Sequence, residues 1–475
     1  MDSLRGVEIL GAGPTSVDLT FADGIIRSVA PAVSKPARRL LAMPALANAH
    51  DHCRALSPTS FGGAGKPLET WLLRLGAMPS VDPYLGACAA FGRAARAGVA
   101  TVMAHYTRPQ GPMSLLDEAR EIARAAADVG VRGTLAIAMR DRNPLVYGDA
   151  RELLAQLPPD ARAVVEKQFF APTPSAEEQV SRVEAIAAAV ESPTFTVQFG
   201  PTGAQWCSDA LLSAIAAASA NTGRRVHMHL LETKYQRAFA DRAYPKGLLP
   251  HLKALGLLSP RITFAHCVYA RPEELDLIAE AEATIATNPS SNLHLASGIA
   301  PIGDAIKRNC RIACGVDGSA LDEDDDALRE MRLGHFLHGG WGFDKVIARA
   351  PYLSSIVAIG RAANGAPGSG QIAVGEPADI LVLDLDLLDR DAVMPVEPID
   401  LVFSRATQAH VAYLIVNGRP VVHDGETAGV DLADIHVRLR AASRAAMPDR
   451  SAFLNGFNPL ETSVANFYRA FIGCC

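Results

Sequence analysis

Between residues 44 and 365 the chain repeats one pattern: a short apolar burst, then a longer stretch in which apolar positions recur every three to four residues. The bursts read "LLAMPALANAH", "GVATVMAHY", "VRGTLAIAMR", "TFTVQFGPTG", "RRVHMHLLE", "RITFAHC", "ATIATNPSSN" and "RIACGVDGS". Short runs of this kind predict buried strands, and the stretches between them predict amphipathic helices. Segments such as "SLLDEAREIARAAADVG" and "SDALLSAIAAASANTG" begin at Ser and end at Gly, the order of a capped helix. Eight strands alternating with helices predict an α/β chain folded as a (β/α)8 TIM-like barrel.

The flanks have another texture. "VDLTFADGIIRSVA" alternates apolar and polar positions around a "DG" turn, and "ADILVLDLD" and "VAYLIVNGRPVVHDG" return to the same style far downstream. These segments predict a small composite β-sandwich built from residues 1–43 and 366–428. The barrel then occupies residues 44–365, and residues 429–475 form a helical C-terminal tail.

Composition narrows the function classes. The chain has 475 residues, 49% hydrophobic and 20% charged, with a net charge of -6. Lys and Arg are scattered, so the basic stripe of a nucleic-acid binder is missing. No apolar run reaches the roughly 18 residues of a membrane span, and the start "MDSLRGVEILG" lacks an export signal. The eight cysteines are dispersed, without the spacing of a metal ribbon, and the closing "GCC" is read as a plain tail. Reduced thiols and a cytoplasmic setting are expected.

In a (β/α)8 barrel, chemistry gathers where the strands end. The burst tails carry His50 and His52, His105, Arg140, Gln198 followed by Trp206, then His227, His229 and Glu232, then His266, Asn288 and Asn292, and Asp317. So many imidazoles aimed at one mouth need hydrogen-bond partners or a metal. Two histidines separated by one residue on a strand face the same side, so His50 and His52 can share an ion while Asp51 points away toward the helices. His229 and Asp317 complete a set of three imidazoles and one carboxylate, which suits one zinc ion per chain, or iron. His227 has the same spacing to His229 as the first pair has internally, and so competes for the fifth-strand role.

"NAHDH", "HMHLLET", "FAHC", "NPSSNLHLASGIAPI" and "CGVDGS" occur in the order in which the amidohydrolase superfamily carries its strand-end motifs, and the chain resembles the mononuclear aminohydrolase branch of that superfamily. The resemblance implies His50, His52, His229 and Asp317 as ligands, with His229 preferred over His227 for its spacing to Glu232. It implies Glu232 as proton shuttle to a substrate ring nitrogen and His266 as the group that polarises the attacking hydroxide or the oxyanion. Asp317 is implied a second time, as acceptor of the water's proton. Binuclear relatives carry a lysine on the fourth strand; here that strand is read as "TFTVQFGPTG", which has none, and Lys167 in "VVEKQFF" is assigned to an inserted strand or loop.

The implied activity is hydrolytic deamination of a purine, pyrimidine, pterin or triazine-like heterocycle. The alternative is hydrolysis of a cyclic amide or another non-peptide C–N bond that releases a larger amine. "KPLETWLLRLGAM" is expected to cover the mouth, with Trp71 and Glu69 joining Arg140, Gln198, Trp206 and Asn292 as candidate substrate contacts. The acidic run Asp322 to Asp326 departs from the family pattern and is expected to stabilise a helix start. The partner is a small molecule, with no nucleic acid or membrane; a homodimer is expected from the class.

Overall fold

The computed structural model describes residues 2–34, 37–110, 113–318 and 321–471. Cys474 and Cys475 of the "GCC" tail lie outside them.

Eight parallel strands form the barrel sheet: β5 (Leu46–Asn48), β6 (Val99–Tyr106), β7 (Arg132–Met139), β8 (Phe195–Pro201), β9 (Val226–Leu230), β10 (Ile262–His266), β11 (Thr284–Thr287) and β12 (Arg311–Cys314). They pair in sequence order, and irregular backbone bonds join the first strand to the last: Ala49 N–H donates to the Cys314 carbonyl (2.9 Å), and the N–H groups of Val316 and Asp317 donate to His50 (3.1 and 2.9 Å). The helices between them start and stop where the sequence signals. Ser114 caps the helix Leu115–Val129 through Asp117 N–H, and Ser208 caps Asp209–Thr222 through Leu211 N–H; Gly130 and Gly223 end them.

A second sheet comes from both ends of the chain. Its strands are β1 (Ser3–Ile9), β2 (Ser16–Ala22), β3 (Ile25–Pro31) and β4 (Leu40–Pro44), then β15 (Ile380–Asp384), β16 (Val411–Val416), β17 (Arg419–His423) and β18 (Glu426–Thr427). Hydrogen bonding runs unbroken through the order β18-β17-β16-β15-β4-β1-β2-β3, so the strands form one continuous sheet and not two separate ones. The β2–β3 turn places Asp23 and Gly24 at φ 54° and 76°, the left-handed pair that a two-residue hairpin requires. Strand alternation divides the two faces between two cores. Leu41, Leu381, Leu383, Leu414 and Val416 join the main core with the barrel helices, whereas Ala42, Ile380, Val382 and Ile415 pack with Leu19, Phe21 and Ile26 in a smaller one. A two-stranded hairpin, β13 (Gly340–Trp341) with β14 (Asp344–Lys345), stands apart.

Buried ion pairs fasten the two sheets together. Asp379 meets Arg132 Nε at the start of β7 and an Arg361 nitrogen in the last barrel helix, each at 2.9 Å, and accepts from Asn417 N–H at 2.7 Å. The segment holding Lys167 is the helix Pro159–Phe169, not a strand or loop, and Lys167 is exposed on it. Its apolar positions Ala161 and Val165 are spaced four apart and pack inward, so the polar positions between them face solvent. Helices Leu432–Ala446 and Ser451–Phe471 follow the terminal sheet; in the second, Phe453, Phe457, Leu460, Val464 and Tyr468 pack against Leu73, Val146, Tyr147 and Trp206. Among the described residues no helix is long and apolar enough to cross a membrane.

Candidate metal centre

The barrel mouth gathers side chains from five strand ends. His50 and His52 lie just past β5, beyond the last ladder residue Asn48. The chain leaves the ladder there because Asp51 folds back: its carboxylate accepts from His52 N–H (2.7 Å), Cys53 N–H (2.9 Å) and Asn48 Nδ2 (2.8 Å). The same turn sends both imidazoles into the mouth. Gly315 lets this happen, because a Cβ there would lie 2.3 Å from Asn288 Oδ1 and 2.8 Å from the His50 backbone nitrogen. His266 and Asp317 have φ of 72° and 58°, a left-handed conformation that Asp and His enter more readily than most other side chains.

Hydrogen bonds fix which nitrogen of each ring is free. His52 Nδ1 lies 2.7 Å from the His105 carbonyl and His229 Nδ1 lies 2.9 Å from the Thr202 carbonyl, so both carry their proton on Nδ1. Their Nε2 lone pairs then face each other at 3.3 Å, which is repulsive unless a cation lies between them. Asp317 Oδ1 is 3.2 Å from His52 Nε2 and 3.5 Å from His50 Nε2. Both His50 Nε2 and Asp317 Oδ1 are buried without a hydrogen-bond partner. Bonds of about 2.0–2.1 Å to a tetrahedral zinc ion separate neighbouring ligand atoms by about 3.3 Å. Three of the separations among these groups, 3.2–3.5 Å, match such an edge, and His50, His52 and His229 offer nitrogens within 4.8 Å of one another, so the residues fit a divalent ion.

His227 sits behind this set. Its Nε2 is 2.7 Å from His50 Nδ1, a hydrogen-bond distance, so it orients His50 rather than sharing the ion's near side. His105 stacks on His229 at 4.9 Å and reaches the Gly200 carbonyl with Nε2 at 3.1 Å. His335 and His338 lie on the helix Ala327–His338, away from the mouth, and His294 contacts the Leu321 carbonyl.

Burial sets the protonation pattern. It pushes His105, His227 and His229 well below the usual histidine range, with neighbouring imidazoles adding to the effect, and takes His52 to about 4. Burial alone would raise Asp317, but the adjacent imidazoles of His50 and His52 and the Arg54 charge hold it well below the usual carboxylate range. Ser291 Oγ donates to its other oxygen at 2.5 Å, leaving Oδ1 turned toward the histidines. Glu232 moves the other way: burial, then the charges of Asp317 and Glu69, raise it well above its usual value. His266 Nδ1 donates to Asn292 Oδ1 (2.9 Å), burial lowers the ring to about 3, and the lone pair of Nε2 points toward the mouth 3.8 Å from Glu232 Oε2.

Above these groups lies a cavity with about 150 Å³ open to the centres of water-sized molecules. His52, His229, Glu232, His266 and Asp317 form its floor; Arg54, Trp71, Arg108, Arg140, Phe169 and Trp206 are in its walls. Of the candidate substrate contacts, Trp71, Arg140 and Trp206 line this cavity. Three other candidates do not line the cavity. Gln198 donates to the Ala363 carbonyl (2.8 Å), because mid-strand it faces the barrel interior below the mouth. Asn292 is taken up by His266, and Glu69 is held behind Glu232 by Thr233 Oγ1 (2.5 Å) and the Tyr147 hydroxyl (3.1 Å). Arg54 went unnoticed in the sequence although it lies two residues past His52. Its guanidinium bonds the Asp317 carbonyl (2.6 Å) and lies 4.6 Å from the Trp71 ring centre. Thr202 acts through its backbone and leaves no side-chain signal to read.

The acidic run is structural. Asp326 accepts from Leu328 and Arg329 N–H groups at the start of Ala327–His338, and Asp325 pairs with Arg93 at 2.7 Å. The six described cysteines are buried and unpaired.

Comparison with known proteins points the same way. The model of the amidohydrolase family matches residues 41–421. The chain is 27% identical over 390 residues to the 5′-deoxyadenosine deaminase of Methanothermobacter thermautotrophicus, covering 81% of this chain and 83% of that protein. It is 27% identical over 423 residues to the 5-methylthioadenosine/S-adenosylhomocysteine deaminase of Pyrococcus furiosus, covering 86% and 91%. A solved adenosine deaminase from Xanthomonas campestris with bound zinc superposes with a TM-score of 0.75 at 22% identity, covering 93% of this chain and 98% of that one.

Proposed function

The chain belongs to the amidohydrolase family, and from that premise we propose that it is a metal-dependent hydrolytic deaminase of a nitrogen heterocycle, with a 6-aminopurine nucleoside as the favoured substrate. One observation carries the reading: three imidazole lone pairs and one unpartnered carboxylate oxygen converge beside a buried, protonated Glu232. The relatives named for deaminating 5′-deoxyadenosine and S-adenosylhomocysteine support the substrate class. The zinc in the adenosine deaminase neighbour supports the metal.

His50, His52, His229 and Asp317 hold one divalent ion, zinc before iron. Such an ion supplies Lewis acidity that brings the pKa of a water toward neutrality. His266 Nε2 accepts a hydrogen bond from the attacking water and orients it, and Asp317 takes one of its protons. Glu232, kept protonated by burial, delivers its own proton to the ring nitrogen as the new C–O bond forms, which places the extra electron pair on nitrogen. The C–N bond then breaks: Asp317 returns its proton to the departing amine, ammonia leaves, and the hydroxyl proton of the adduct restores Glu232. Trp71 and Trp206 offer flat faces to the heterocycle, and Arg140 offers a donor at the wall.

The experiment is an ammonia-release screen over adenine nucleosides, pyrimidines, pterins and triazines, with metal content and product mass measured on the same sample. About one ion per chain and ammonia as coproduct are expected. A metal-loaded protein that leaves all of these compounds intact, or releases a larger amine, refutes the reading.

A further inference from the structure

Behind Glu232 lies a polar arrangement that touches neither the cavity nor the metal-facing atoms. Glu69 Oε1 accepts from Thr233 Oγ1 (2.5 Å) and from the Tyr147 hydroxyl (3.1 Å). Gln236 closes the circuit: its backbone N–H donates to Thr233 Oγ1 (3.2 Å) and its Nε2 to the Tyr147 hydroxyl (3.5 Å). Gln236 Oε1 in turn accepts from Glu232 N–H at 2.9 Å. Every donor and acceptor in this circuit has one consistent assignment. Its outer corner is pinned from far away in sequence, where Tyr147 N–H donates to the Tyr468 hydroxyl on the helix Ser451–Phe471 (3.1 Å).

We infer that Glu69, Thr233, Gln236 and Tyr147 form a closed ring that positions Glu232 for proton delivery, and that the helix Ser451–Phe471 braces this ring through Tyr468. Glu69 is thereby a positioning residue, not a substrate contact. Four otherwise separate segments meet at it: the helix Leu68–Arg74, the loop at Tyr147, the chain after β9, and the C-terminal helix. A satisfied buried ring of this kind permits one geometry, whereas a ring missing one member leaves buried donors unpaired.

The groups facing Glu232 are Asp317 and Glu69, which favour its protonated form, and Arg54 and His266 across the cavity floor. Glu69 itself faces Lys234, Tyr147, Tyr235 and Tyr468. Replacing Glu69 by Gln keeps the oxygen that closes the ring and removes the charge; replacing it by Ala opens the ring.

The inference rests on the proton-donating role proposed for Glu232, and the test separates the two. In zinc-loaded protein, the infrared band of the Glu232 carboxylic acid, identified by its loss in Glu232→Gln, is titrated with pH. In Glu69→Gln its midpoint falls by about half a unit or more, and in any turnover assay KM stays within about twofold. Glu69→Ala lowers kcat by roughly 10²-fold through misplacement of the acid, with the ion retained. An unmoved midpoint in Glu69→Gln, the absence of any acid band from Glu232, or a KM raised about tenfold at unchanged kcat overturns the inference. If Glu69→Ala does not fold, the Gln titration decides alone. Turnover that survives Glu232→Gln refutes the deaminase mechanism instead, while the midpoint in Glu69→Gln still judges the ring.

Discussion

The molecule contains two eight-stranded sheets, and they place backbone strain in opposite ways. In the terminal sheet, the hairpin turns pair a left-handed Asp or Asn with Gly, types that accept it: Asp23 and Gly24, Asn417 and Gly418, Asp424 and Gly425. At the barrel mouth Cys53, Leu231 and Cys267, types that resist it, adopt it beside His266 and Asp317. The terminal sheet is built where local preference and tertiary packing agree. The mouth is built where packing overrides preference, and the residues held against preference, Cys53, Leu231 and Cys267, adjoin His52, Glu232 and His266 in sequence. Stability resides in one region and reactivity in the other.

Four changes break or sharpen that contrast. Glu232→Gln is expected to reduce turnover by about 10²–10⁴-fold while leaving metal content and melting temperature near those of the parent; loss of the ion would show that its role is ligation. Asp379→Ala leaves Arg132 and Arg361 without their shared carboxylate and is expected to destabilise folding by about 3–5 kcal/mol in urea titration, with unchanged kcat per folded molecule. A change in kcat larger than the change in folded fraction would mean that the sheets communicate. Metal-free protein is expected to lose melting temperature as pH falls from about 6.5 toward 4. His52 and His266 titrate near 4 and 3 when folded, so the unfolded chain binds more protons in that window and acid favours unfolding, by up to about 1.4 kcal/mol per pH unit for each histidine. A flat profile would place the histidines in contact with solvent. Last, Ile415→Val in the small core is expected to cost about 0.5–1.5 kcal/mol and nothing in turnover.

The sequence made the barrel legible because its strands are apolar bursts of three to eight residues and helices such as Leu115–Val129 and Asp209–Thr222 carry their own caps. His50, His52, His229, Glu232, His266 and Asp317 were readable because position at a strand end is a local property. The supporting layer was not. Gln198 stands in the same apolar burst as a strand end, and only its depth, half a strand below the mouth, separates it from the wall residues. Glu69 looks like any acid in a first helical turn until Thr233 and Tyr147 arrive from more than 75 residues away. The helix Pro159–Phe169 misled as "VVEKQFF" because its buried positions are few and its apolar run is short enough for a strand.

The strand β4 pairs on one side with β1, close in sequence, and on the other with β15, more than 330 residues later. During synthesis at about 5–20 residues per second, that far edge waits open for tens of seconds. A nascent chain therefore exposes a hydrogen-bonding ribbon flanked by apolar side chains while the barrel is still being made, a template for intermolecular pairing. The yield of soluble protein should accordingly depend on translation speed and on holdase chaperones more than on the stability of the finished molecule.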